Sequence, residues 1–144
     1  MTTYHDLPSN EKEQLLKFPA YVSLLAATYH KGIDKEEKKS AIEFAHMKTF
    51  SCNPILKEFF EDSEKRIEET INTLDKQLPQ NKKEREAAIR KELDRLEEIL
   101  KELGTEYAIA LHESMKAYKE HVAHAHHSLF EYLLFPVPIK GLTY

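Results

Sequence analysis

Apolar residues recur along most of the chain at intervals of three and four, the spacing that places them on one face of an α-helix. Prolines, glycines and short polar turns divide this pattern into five predicted helices. We place them at residues 9–30, 34–50, 54–78, 82–103 and 105–134, with an extended tail over 135–144. No alternating strand pattern occurs, so the sequence predicts a single all-α domain, a bundle of about five helices.

A proline and a glycine each predict a break in the helical pattern. Pro19 removes a backbone donor inside the first predicted helix, which predicts a kink or a restart near Phe18. Gly104 stands directly before Thr105. A glycine followed by a residue that can cap a helix predicts that one helix ends and the next begins at this point.

The third and fourth predicted helices carry apolar residues at heptad-like spacing. The third has Leu56, Phe60, Ile67, Ile71, Leu74 and Leu78, and the fourth has Ile89, Leu93, Leu96, Leu100 and Leu103. Only the short turn "LPQNKK" separates the two helices. This arrangement predicts a long antiparallel hairpin with a coiled-coil-like seam between them.

Composition and charge narrow the class of protein. The chain has 144 residues, of which 41% are hydrophobic and 32% charged, and its net charge is −4. A slightly acidic chain lacks the basic field of a nucleic-acid-binding protein. No run reaches the roughly 18 apolar residues that cross a bilayer, and the N-terminus lacks the pattern of a signal peptide. The single cysteine, Cys52, fits a reducing compartment. We therefore expect a cytoplasmic protein that neither spans a membrane nor binds nucleic acid.

The stretch "KEHVAHAHHSLFE" contains four of the eight histidines within seven residues. At 100° per residue these histidines point in three directions, and only His124 and His127 share a face. Glu120 and Glu131 flank that pair at helical spacing. Imidazole and carboxylate groups are ligands for a divalent metal such as zinc or iron. The alternative interpretation is a solvated polar face with ordinary Glu–His pairs.

A second spacing suggests a different metal chemistry. Glu43 and His46 have the Glu-x-x-His arrangement that di-metal carboxylate enzymes repeat inside helical bundles. Such a site requires two of these motifs and two further inward glutamates, which the sequence does not supply. No phosphate-binding loop or nucleophile motif is present, so no catalytic residue and no organic cofactor site is predicted.

The turn after the first predicted helix reads "YHKGIDKEE" from Tyr29 to Glu37. It resembles the TerB-like family of tellurite-resistance proteins. That family usually has Ala-Asp-Gly-x-Ile, followed four residues later by glutamate. The corresponding positions here are Tyr29, His30, Lys31, Ile33 and Glu37. The resemblance spans residues 15–50 and implies an all-helical bundle with a divalent-metal site at His30 and Glu37. Histidine in place of aspartate suits zinc, copper or iron better than calcium or magnesium. Alternatively, Glu37 serves only the N-terminal dipole of its helix.

Together these features predict a small, non-catalytic interaction or metal-responsive module, which the TerB-like resemblance links to stress response. The alternatives are a di-metal carboxylate enzyme and a purely structural oligomeric protein. We expect contact with a second copy or another protein through the third and fourth predicted helices or through the tail "FPVPIKGLTY". The alternating apolar residues and two prolines of that tail favour an extended segment that docks in a groove between helices of its own bundle, and pairing with a partner is the alternative.

Overall fold

The computed structural model describes residues 2–27 and 32–125. These ranges contain six α-helices and one 3-10 helix, with no β-strand, which confirms the predicted all-α bundle. The α-helices are α1 (Ser9–Leu15), α2 (Phe18–Ala26), α3 (Lys35–Ser51), α4 (Lys57–Gln77), α5 (Lys82–Leu103) and α6 (Thr105–Ala123). The 3-10 helix spans Pro54–Leu56 and leads directly into α4.

Both predicted interruptions are confirmed. The first predicted helix is divided, because α1 ends at Leu15 and α2 begins at Phe18. Pro19 occupies the first turn of α2, where a missing N–H removes no helical hydrogen bond. Gly104 separates α5 from α6 with a φ of 89°, a backbone conformation that residues with a Cβ rarely adopt.

Helix α2 lies at the centre of the bundle. All nine of its residues are buried, and it packs against α3, α4, α5 and α6. Its one polar side chain, Ser23, donates from Oγ to the Pro19 carbonyl oxygen at 2.7 Å. A helix that is apolar on every side can be covered by neighbours on every side, so α2 forms the core around which the longer helices assemble.

The predicted coiled-coil-like seam between the two longest helices is not confirmed. The backbones of α4 and α5 make few close approaches, whereas both helices pack against α2. The buried residues of the two seams are Leu56, Phe60, Ile67, Ile71, Leu74, Ile89, Leu96, Leu100 and Leu103. Heptad-like spacing identified the buried side of each helix correctly, but the neighbours differ: α4 packs against α3 and α2, and α5 packs against α2, α6 and α1.

The start of α3 is fastened to two other helices. Asp75 of α4 accepts a hydrogen bond at Oδ1 from the backbone N–H of Ile33, at 3.2 Å. The same oxygen pairs with the guanidinium of Arg85, a side chain of α5 that is only 3% exposed. Since α3 begins two residues after Ile33, this buried ion pair fixes where the helix enters the bundle.

Helix α6 ends earlier than the pattern predicts. We placed the last helix over 105–134, but α6 stops at Ala123, and His124 has φ −104° and ψ 17°. No proline or glycine marks this end in the sequence. Residues 126–134 and the tail 135–144 lie outside the described residues. None of the helices in the described ranges is long and apolar enough to cross a membrane.

Candidate functional site

A polar cleft of about 530 Å³ is lined by residues of α3 and of the C-terminal half of α6. Two of the six predicted site residues, Glu120 and His124, line it. The other lining residues are Glu36, Lys39, Ser40, Glu43, Phe44, Ala117, His121 and Ala125. The cleft therefore brings carboxylate and imidazole groups together on facing surfaces of two helices.

The ring of His124 is held in one orientation by the backbone. Its Nδ1 lies 2.6 Å from the carbonyl oxygen of Glu120. A carbonyl oxygen can only accept, so Nδ1 carries the proton and donates it, and in the neutral ring the lone pair is on Nε2. Histidines that bind metals commonly have this arrangement, with the second ring nitrogen donating to a backbone carbonyl. Helical spacing predicted that the side chains of Glu120 and His124 are in contact. The His124 ring instead donates to the backbone carbonyl oxygen of Glu120.

His121 contributes to the cleft although we did not predict it as a site residue. Its ring lies 4.8 Å from the ring of Phe44, with an interplanar angle of 34°, and Ser40 Oγ donates to its backbone carbonyl at 3.3 Å. Burial lowers the pKa of His121, the carboxylate of Glu43 opposes this, and His124 lowers the pKa by a smaller amount. The ring is therefore neutral at pH 7 and keeps a lone pair.

The cleft offers suitable donors without forming a complete coordination shell. In the part of the chain that the structure describes, no group of three or more His, Cys, Asp or Glu side chains is close enough to hold a metal ion. Three predicted ligands, His127, Glu131 and His30, lie outside the described residues. His127 and Glu131 were placed on the face of His124 by assuming a helix through residue 134, and α6 ends at Ala123.

Glu37, the remaining predicted ligand, has a structural contact. Its backbone N–H donates to Asp34 Oδ1 at 2.9 Å, and its own Oε1 accepts from the Asp34 N–H at 3.0 Å. These reciprocal bonds form a capping box at the start of α3. The side chain is 3% exposed. This geometry supports the alternative interpretation, in which Glu37 serves the N-terminus of its helix.

The two residues of the Glu-x-x-His pair in α3 lie in different places. Glu43 lines the cleft, whereas His46 Nδ1 pairs with Glu64 of α4. The second oxygen of Glu64 accepts from Thr49 Oγ1 at 2.9 Å, and the hydrogen bond with His46 lowers the pKa of Glu64. Among the described residues, the buried charged side chains are Glu37 and Arg85 alone. The described core thus lacks the ring of inward carboxylates that a di-metal enzyme requires.

The two other histidines that the structure describes lie outside the cleft. His5 pairs with Glu58 at 2.8 Å and His112 with Glu97 at 2.7 Å, and both pairs are exposed. Exposed ion pairs of this kind contribute about 0–1 kcal/mol. Cys52 is half-buried, and burial raises the pKa of its thiol, which opposes a role as a reactive thiolate.

No protein-family model matches the chain, and neither does any curated protein or solved structure.

Proposed function

We propose that this protein is a non-catalytic, metal-responsive module that binds a divalent ion of the zinc type where the α3/α6 cleft meets the end of α6. The observation that carries the proposal is the orientation of His124. Its Nδ1–H donates a hydrogen bond to the Glu120 carbonyl oxygen, with 2.6 Å between Nδ1 and that oxygen. This bond favours the tautomer that coordinates a metal through Nε2.

The second imidazole ligand in this proposal is His127, which follows His124 by three residues in the sequence. Carboxylates from Glu120 and Glu131 complete the set that the sequence predicts. Zinc commonly binds such mixtures of imidazole and carboxylate in tetrahedral sites. Because these ligands come from the end of α6 and the chain beyond it, binding would couple the ion to the segment that follows Ala125.

The cellular setting is also a proposal. Its link to stress response rests on the TerB-like resemblance of the turn around His30 and Glu37, and the cytoplasm is inferred from the single cysteine. In this setting, metal binding would change how the segment after α6 is presented to a partner. Such a change is a local event that another protein can recognise.

Calorimetric titration of zinc into the full chain, without an affinity tag, tests the proposal. We expect one zinc per chain in the wild type and no binding in the double variant His124→Ala/His127→Ala. A matched control, His46→Ala/His112→Ala, removes the same number of imidazoles from surfaces outside the cleft and should bind zinc normally. Unchanged binding in the first variant, or equal loss in both, would contradict the proposal.

Self-association through α3 is a second candidate function, favoured by one observation. Phe50 is 78% exposed, and Met47 and Ile55 nearby in the sequence are also large exposed hydrophobic residues. Apolar side chains grouped on a surface often mark a protein contact. Among the described residues, none of the large exposed hydrophobics lies in α4 or α5. The exposed apolar residues therefore favour a contact through the end of α3 over the predicted contact through the third and fourth predicted helices.

Light scattering tests this second candidate. If a dimer forms through the end of α3, Phe50→Ser should shift the mass to that of a monomer. The control Ile109→Ser alters an exposed apolar residue of α6 and should leave the mass unchanged. A wild-type protein that remains monomeric at high concentration would exclude the candidate.

A further inference from the structure

A second groove lies at the opposite end of α6 and differs from the cleft in chemistry. Its volume is about 410 Å³, and it is lined by the N-terminal segment, the 3-10 helix, the first turn of α4, the end of α5 and the first turn of α6. Its apolar walls come from Tyr4, Ile55, Leu103 and Tyr107. The ionisable groups among the residues that line it are the two acids Glu58 and Glu106, the histidine His5 and the two tyrosines, with no lysine or arginine.

Two polar atoms beside this groove are buried without a partner. The hydroxyl of Tyr107 and the Oε2 oxygen of Glu58 have no hydrogen-bond partner within the described part of the chain. Tyr107 is 8% exposed, so its hydroxyl cannot rely on bulk water. The other oxygen of Glu58, Oε1, lies 2.8 Å from His5 Nδ1. Folded proteins rarely leave buried polar atoms unpaired, because each one loses its hydrogen bonds to water without replacement.

The protonation states of the two groups are complementary to a cation. Burial and, to a smaller extent, the negative charge of Glu58 raise the pKa of Tyr107, so its hydroxyl stays neutral, with oxygen lone pairs that can accept. The Glu58 carboxylate can only accept. Its side chain is 44% exposed, and it is one of the residues that line the groove.

We infer that this groove binds a small apolar amine, with its ammonium group between Glu58 and the Tyr107 hydroxyl and its hydrocarbon part against Ile55 and Leu103. An ammonium has three donors and a positive charge, so it can satisfy both acceptors at once. A neutral alcohol can donate to Glu58 and accept from the Tyr107 hydroxyl, but it brings no positive charge to the two carboxylates. A carboxylate would be repelled by Glu58 and Glu106. The groove is also within the size range of small-molecule sites.

A titration of the isotope-labelled full chain by NMR at pH 7 tests the inference with three probes of equal length: hexylammonium, hexan-1-ol and hexanoate. We expect saturable shifts at Tyr4, Leu103 and Tyr107 with hexylammonium, at an affinity about tenfold higher than that for hexan-1-ol, since a charge-assisted hydrogen bond is gained. Hexanoate should produce no saturable shift. Equal responses to the amine and the alcohol would overturn the inference and assign the unpaired atoms to an ordered water.

Two variants and one control identify the recognition group. Glu58→Gln should weaken hexylammonium binding about tenfold, to the level of the alcohol. Glu113→Gln alters an exposed acid of α6 that lies outside the groove and should leave binding unchanged. Tyr107→Phe should weaken binding and, because it removes an unpaired hydroxyl, should not lower the melting temperature of the free protein. Unchanged binding in Glu58→Gln would overturn the inference even if the amine binds.

Discussion

The two ends of α6 carry grooves of opposite character. At its first turn, Tyr107 borders an apolar groove in which a buried hydroxyl and a carboxylate oxygen lack partners. At its last turn, His121 and His124 border a polar cleft in which the His124 ring is fixed by the Glu120 carbonyl. One end thus has unpaired acceptors in apolar surroundings, and the other has oriented imidazoles beside carboxylates. One helix can therefore present two different recognition chemistries.

Tyr118, between the two ends, shows what a fully paired polar group does in the same helix. Its side chain is completely buried, and its hydroxyl donates to the Ala41 carbonyl oxygen at 2.5 Å. The ring also meets Phe44 edge to face, with 4.7 Å between the ring centroids. Tyr118 therefore fastens α6 to α3, whereas the hydroxyl of Tyr107 contributes no such bond.

The largest effect should come from the ion pair that holds α3, one wall of the cleft. Asp75→Ala leaves the buried guanidinium of Arg85 without its carboxylate and removes the acceptor for the Ile33 N–H. We expect a loss of about 3 kcal/mol in the free energy of unfolding, measured with urea. The control Glu86→Ala breaks an exposed pair with Arg90 and should cost less than about 0.5 kcal/mol. Equal losses would show that the buried pair does not hold α3.

The two tyrosines of α6 provide a matched comparison of intermediate size. Tyr118→Phe should lower the free energy of unfolding by about 1–1.5 kcal/mol, since a buried hydrogen bond to Ala41 is lost. Tyr107→Phe removes a buried hydroxyl without a described partner and should leave that free energy unchanged or raise it. Urea unfolding of both variants measures the difference. Equal destabilisation would mean that the Tyr107 hydroxyl has a partner after all.

Much of the fold could be predicted from local patterns, because each pattern reports local physics. Pro19 and Gly104 marked real interruptions, since the first lacks an N–H and the second adopts a positive φ. The packing of α4 and α5 could not be predicted in the same way. A heptad-like stripe shows which side of a helix is buried, whereas the element that covers it depends on the whole topology. Here α2, apolar on every side, packs against both stripes.

The candidate sites were less predictable, for two reasons. The cleft depends on Phe44 and Glu43 of α3 meeting His121 of α6, a contact between segments far apart in the sequence. A signal did exist, since His121 precedes His124 by one helical turn, but only the tertiary packing gives it meaning. The unpaired hydroxyl of Tyr107 has no sequence signal, because a missing hydrogen bond is a property of the assembled surroundings.

The smallest effect is a pH dependence specific to the cleft. The pKa of His121 is lowered in the folded chain, chiefly by burial, so folding favours its neutral ring. This contribution is fully present above the ordinary histidine pKa of about 6.5 and is lost as the pH falls through the lower folded value. The charged and titratable groups that line the cleft with it are Glu36, Lys39, Glu43, Glu120 and His124.

Urea unfolding at pH 7 and pH 5 measures this dependence. We expect the free energy of unfolding of His121→Gln to fall less between pH 7 and pH 5 than that of the wild type. The control is His112→Gln, since the ring of His112 pairs with Glu97 outside the cleft. Its free energy of unfolding should fall as much as that of the wild type. The lowered pKa of Glu64 acts in a separate window, below the ordinary glutamate value of about 4.3. An unchanged pH dependence in His121→Gln would contradict the assignment.

The most direct test of metal binding at the cleft is an NMR spectrum of the histidine ring nitrogens, recorded on the full chain without an affinity tag as zinc is added. We expect one equivalent of zinc to shift Nε2 of His124 strongly while its Nδ1 keeps the proton donated to Glu120. The rings of His5, His46 and His112, which pair with glutamates elsewhere, should not change. An unperturbed His124, or a uniform gradual shift of all histidines, would contradict a specific site.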